Sequence, residues 1–384
     1  MIYYNYKDII KSPRIAVSPQ RLYLATFGMA VTHVIYFCTT YLAGVVSGHS
    51  IESVWQNWGL LPFIFGMELT LPGVLIGWAG IAVSAFSLLL TATFLSRAVY
   101  MYLRDNYFYT GRQAVTFAFR RAGALFGVFI TFVFLITPFI IGALLMAAVG
   151  RIPWFGEILN ALATLPYIFS GMVLVFMTIC FGLAFFLAPA IIASSEEDGF
   201  GTAVQCMHLT WGQPWRLGVY GLMGILLFIT GTVVFAFVIK IGLIIYSILF
   251  MPLMHSLAPI LDQALYYVQM SVGGLDTIVR DLFGEAGSRL VYLKKDYVAL
   301  TLGPSAEISA VIIYIFLMLA GYMTVGYGYA IINASLVTGY IIIEKNLSEK
   351  NLLRRKDSEI SEDSDAFELN LEENTKNLGE AEAT

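Results

Sequence analysis

Chemistry in this chain would have to be built from four histidines, three cysteines and a run of tyrosines near the end of the last apolar segment. His33 falls near the middle of an apolar run, whereas His49, His208 and His255 fall near run ends. A haem held by two histidines needs both at one depth, so the expectation for His33 is a hydrogen bond to a neighbouring helix. Cys38, Cys180 and Cys206 are isolated, with no C-x-x-C pair and no histidine at ligand spacing. They read as buried, space-filling thiols, and neither a zinc site nor a disulfide framework is expected. The sequence contains no G-x-x-x-x-G-K-[ST], no H-E-x-x-H and no G-x-S-x-G in a suitable setting, so nucleotide hydrolysis and zinc proteolysis have no visible machinery. The stretch GYMTVGYGYAIINAS allows two readings. Gly321, Gly326 and Gly328 permit close helix approach, or else Tyr322, Tyr327, Tyr329 and Asn333, with Thr338, line a polar cavity. No catalytic residue, metal or cofactor is expected.

The elements that must position these residues are membrane helices. The chain is 58% hydrophobic and 12% charged, far from the composition of an ordinary soluble domain. A helix crosses hydrocarbon with about 20 apolar residues, because its backbone must satisfy its own polar groups. Charge-free runs begin at Leu22, Leu69, Ala122, Ile158, Leu217, Ile241 and Ile308, the fifth and sixth separated only by Lys240. Two spans cannot reverse across one residue. The fifth run is therefore expected to cross, Lys240 to snorkel at the far headgroups, and the next stretch to lie in the interface, with Pro252 and Pro259 supporting the break. The expected fold is an all-α, polytopic bundle with spans at about 22–47, 72–96, 123–149, 166–192, 217–239 and 308–340, making a membrane domain over 1–343. The first run is too long for a cleaved signal peptide and reads as a retained span.

Charge sets the expected orientation. With the N-terminus inside, sixteen of the twenty-two Lys and Arg residues fall on the cytoplasmic side, among them Arg97, Arg104, Arg112, Arg120, Arg121 and Arg216. Arg151, Arg280, Arg289, Lys294 and Lys295 fall outside. The excess of bases on one side predicts both termini in the cytoplasm.

Two cytoplasmic connections, 97–121 and 196–216, share a plan: a glycine-led helix start at Gly111 or Gly201, apolar and aromatic residues, then arginine at the next span. Both predict amphipathic surface helices, the second capped by Asp198 or Thr202, within a weak repeat of span, surface helix, span. The G-T-A-V-x-x-x-x-x-T-W-x-x-x-W-R stretch from Gly201 to Arg216, with this order of elements, resembles the membrane-domain family found beside some bacterial glycerophosphodiester phosphodiesterases, over roughly residues 70–240. Thr210-Trp211 stands where that family has a Ser-Trp-like pair, and His208 where a base is common. The resemblance implies a fold and a bacterial inner-membrane setting. The hydrolytic activity of that family belongs to a separate soluble domain, so it implies no catalytic residue here.

On the other side, Trp55 and Trp58 suit interfacial anchoring, and 241–307 reads as an outer helical segment. Leu265, Val268, Val272, Leu275, Val279 and Leu282 recur at 4-3 spacing, the seam of an amphipathic helix, interrupted by Gly273-Gly274. One helix or two with a bend fit equally, and the seam covers either the protein's own outer face or another subunit. Residues 357–384 carry ten acids and one base, so 344–384 reads as a cytoplasmic, disordered acidic tail. The functional expectation is a non-catalytic membrane subunit or scaffold that contacts lipids and a membrane or extracytoplasmic protein partner, without nucleic acid. The alternative is a protein that binds or transports lipid or hydrophobic solutes.

Overall fold

Proline and small polar residues set the helix boundaries of this chain. In the computed structural model, which describes residues 3–272, 297–349 and 351–355, prolines stand in the first turn of four long helices. There the missing N–H costs nothing, because first-turn donors have no intrahelical partner. The element order is α1 (Tyr6–Ile10), α2 (Ser12–Ala16), α3 (Pro19–Val46), α4 (Ile51–Trp58), α5 (Leu71–Leu103), α6 (Gly111–Arg120), α7 (Ala122–Val149), α8 (Phe155–Leu162), α9 (Thr164–Ser195), α10 (Gly199–Gly212), α11 (Pro214–Phe250), α12 (Leu257–Ser271) and α13 (Pro304–Ser348). No strand occurs among the described residues. Six of these helices, α3, α5, α7, α9, α11 and α13, are long and apolar enough to cross a membrane. The protein is a multi-pass membrane bundle.

The two short helices between spans start where the sequence offers an acceptor. Thr110 and Gln113 form a reciprocal capping box at α6, and the Asp198 carboxylate accepts the Gly201 amide at 2.7 Å to start α10. Thr202 does not cap, and its hydroxyl is buried without a hydrogen-bond partner. The repeated plan of long helix, short helix, long helix is visible as α5-α6-α7 and α9-α10-α11. α10 is sunk deeper than a helix resting on a surface: Ala203, Cys206 and Leu209 are fully buried. It presses against α7 at Gly199, where an added Cβ would come within 2.7 Å of Gly127 backbone.

One boundary differs from the sequence reading. α11 runs unbroken through Lys240 for 37 residues and ends at Phe250, so the break falls at Pro252. A lone lysine leaves the backbone hydrogen bonds intact, whereas proline removes a donor. At about 1.5 Å per residue the helix is about 55 Å long, so it must tilt or project beyond a core of about 30 Å. α13, with 45 residues, does so further. The run from Ile158 is also divided, into α8 and α9. Of the cysteines, Cys180 and Cys206 are buried, while Cys38 is exposed on α3 and faces outward.

Packing is uneven along the bundle axis. The main core joins α5, α6, α7, α9, α10 and α13 at the end that carries Arg97 and Arg121, called here the basic end. Beyond Phe132 no residue of α7 is buried, and none of α9 before Cys180. Away from the basic end, α7 and α9 thus form an arm whose outward faces meet the surrounding medium. α13 is the central post, packing against α1, α2, α3, α5, α9, α11 and α12.

Candidate functional site

Polar side chains inside an apolar bundle are costly unless paired, so their partners show what the bundle is organised around. Tyr314, Tyr322, Tyr329 and Tyr340 recur along α13 at steps that return to one stripe of a 3.6-residue helix. Each reaches a different neighbour. Tyr314 shares a hydrogen bond of 2.8 Å with Ser271 of α12, Tyr322 pairs with His33 of α3, and Tyr329 donates to the Leu88 carbonyl of α5 at 2.8 Å. Tyr340 meets Ser195 of α9 at 3.3 Å. Carboxylates close the stripe at both ends: Glu307 accepts from Tyr267, and Glu344 accepts from Gln205 of α10 at 2.5 Å. The arrangement is a polar ladder that ties α13 to α12 by two rungs and to α3, α5, α9 and α10 by one each.

The four residues expected to line one polar cavity are therefore distributed. Tyr322 and Tyr329 are rungs to α3 and α5, and Asn333 donates to the Tyr329 carbonyl of its own helix at 2.8 Å. Tyr327 points the other way. Its hydroxyl donates to the Pro13 carbonyl at 3.2 Å, and its ring packs on Phe235 at 4.8 Å, beside an apolar groove of about 290 Å³.

His33 has both ring nitrogens engaged, one by Tyr322 and the other by the Leu60 carbonyl at 2.7 Å. Neither nitrogen is left for a metal. Tyr36 and Tyr41 donate to the carbonyls of Pro62 and Gly59 at 2.8 and 2.7 Å, so α3 holds the 59–62 loop by three hydrogen bonds. That loop receives the end of α12, since the Leu60 amide donates to the Ser271 carbonyl at 2.9 Å. The first residues of the proposed seam lie here. Leu265 is buried against Leu261 and Tyr297, with Val268 packed beside them and Leu243, Ile313 and Leu317 closing the cluster. Val272 follows the helix end and is half-buried. Leu275, Val279 and Leu282, like the acidic tail beyond 355, lie outside the described residues.

The basic end contains a group that the sequence reading counted only as topology charge. Arg97 is fully buried and donates to the Ala193 carbonyl at 2.9 Å and to Glu196 at 3.0 Å. Its guanidinium lies 4.1 Å from the Phe117 ring centre, a favourable stacking geometry. Glu196 also meets Arg121 at 3.6 Å. To bring its carboxylate back, Glu196 ends α9 in the left-handed conformation, φ 54°, which costs a non-glycine residue about 1–2 kcal/mol. The ion pair offsets that cost, and Arg97 also satisfies a carbonyl left open in the last turn of α9. The 351–355 segment folds over this end. Tyr100 donates to the Leu352 carbonyl at 2.8 Å, Arg104 to the Arg355 carbonyl at 2.6 Å, and Arg355 to the Ser195 carbonyl. The signal for this cluster was present in the sequence, since Arg97 and Arg121 flank one short helix and Glu196 opens the other. Nothing local, however, joins residues about a hundred positions apart.

Burial pushes the Cys206 thiol well above the ordinary cysteine range, which removes thiolate and suppresses its reactivity. Among the described residues no group of three or more His, Cys, Asp or Glu side chains could hold a metal ion. No family model matches the chain, and no curated protein and no solved structure is significantly similar to it.

Proposed function

We propose that this chain is a non-catalytic membrane subunit that holds protein partners at a bacterial inner membrane, with both termini in the cytoplasm. The observation that carries the reading is the polar ladder. The tyrosines and carboxylates along α13 are each spent on a neighbouring helix of the same chain, so they act as interhelical glue. The α7-α9 arm supports the partner half of the proposal, because its helices leave their outward faces open beyond Phe132. The resemblance of Gly201–Arg216 to the membrane domains beside bacterial glycerophosphodiester phosphodiesterases fits a role without its own chemistry.

The test is purification of the full-length chain in mild detergent. A protein recovered with it in fixed stoichiometry supports the subunit reading. Bound lipid or hydrophobic solute with no protein partner favours the alternative, a protein that binds or transports such molecules. Orientation is tested with an impermeant maleimide on intact cells. Ile152→Cys, in the α7-α8 turn, is expected to label from outside and Thr116→Cys, on α6, to remain unlabelled; the reverse pattern overturns the topology.

A further inference from the structure

The apolar groove beside Tyr327 lies between two spanning helices, α11 and α13, and is bordered by the short helix α2. Its walls include Leu227, Gly231, Val234 and Phe235 of α11, Tyr327 of α13, and Pro13 of α2. Gly231 lets α11 close on α13, since an added Cβ there would lie 2.3 Å from Ile331 Cδ1. The hydrogen bond from Tyr327 to the Pro13 carbonyl fixes the α2 side of the groove and consumes the tyrosine hydroxyl. Walls this apolar do not hold water, and a recess left unfilled forfeits dispersion contacts along its lining. The medium around α11 and α13 is hydrocarbon, so the filler available in quantity is an acyl chain. Charge on the α2 side selects the headgroup. Arg14 follows Pro13 directly, is exposed, and has no hydrogen bond or ion pair among the described residues. Lys7 is also exposed, whereas Lys11 is held by Asp8 at 2.8 Å.

We propose that this groove seats one acyl chain of an anionic phospholipid whose phosphate is held by Arg14. The site is separate from the protein-partner surface proposed above, and its failure leaves that reading standing. The experiment incubates the full-length protein, in mild detergent, with an equal mixture of phosphatidylglycerol and phosphatidylcholine, then counts retained lipids by native mass spectrometry. The wild type is expected to keep one phospholipid, enriched in phosphatidylglycerol. Val234→Trp, which fills the groove, should lose it. Arg14→Gln should keep a lipid but lose its preference for the anionic headgroup by about fivefold, the factor one base near an anionic surface supplies. Thr230→Trp, on the exposed rim of the same groove, replaces Val234→Trp if that variant does not melt as a folded protein. Equal lipid retention by the wild type and the groove-filled variant would mean annular lipid only and overturn the proposal. So would a wild type that keeps no lipid, or an unchanged headgroup preference in Arg14→Gln.

Discussion

Replacing Arg97 by methionine should be among the most damaging single changes in the molecule, while replacing Arg97 and Glu196 together should be much milder. Arg97 is fully buried, and the Glu196 side chain retains only 5% of its exposure. Methionine matches the length of the arginine stem but removes the guanidinium that meets the Glu196 carboxylate at 3.0 Å, while Arg121 stays at 3.6 Å. Breaking a buried pair from one side costs about 3–5 kcal/mol, because the remaining charge has lost its compensation. The Ala193 carbonyl also loses its donor, and the left-handed turn at Glu196 keeps its conformational cost without the interaction that offset it. In Arg97→Met with Glu196→Gln no charge is stranded, and the cost should fall to about 1–2 kcal/mol, mostly the unsatisfied carbonyl. The assay is equilibrium unfolding of the purified protein in mild detergent for the wild type, both single variants and the double variant. A coupling energy of at least about 2 kcal/mol is expected between two sites in direct contact. Additive losses, or an Arg97→Met protein as stable as the wild type, would refute the argument.

Three further outcomes follow from particular contacts. Gly199→Ala should cost about 1–3 kcal/mol in the same unfolding assay, since its Cβ meets Gly127 backbone at 2.7 Å and neither partner has a side chain to rotate away; a neutral result would show that α10 is not wedged against α7. Tyr322→Phe should cost about 1–3 kcal/mol by leaving a His33 ring nitrogen unpaired, and Phe substitution at exposed Tyr23 serves as the comparison that should be silent. With a membrane-permeant maleimide, Cys38 should react well before Cys206. Raising the pH through the ordinary thiol range should speed Cys206 little, because burial holds its thiol protonated there; equal rates would remove the buried assignment.

The architecture was legible from residue order because the bilayer constrains local sequence so strongly. A spanning segment must be long, apolar and internally hydrogen-bonded, so the six spans could be read one at a time, and Asp198 marks the start of α10 by chemistry confined to a few neighbours. The misplaced break at Lys240 came from treating charge as a helix terminator, when backbone chemistry at Pro252 decides it. What tertiary structure alone decided is which polar groups meet. Tyr322, Tyr327, Tyr329 and Asn333 look like one constellation along the chain, yet helical rotation sends Tyr322 and Tyr329 to separate helices, turns Tyr327 to the opposite face and leaves Asn333 bonded to its own helix. Arg97 and Glu196 look unrelated in sequence and share one buried ion pair. Local sequence marks which segments can span and where most helices begin, but which stripes face each other depends on rotation and crossing of helices that are distant in the chain, and that is settled only when all of them pack at once.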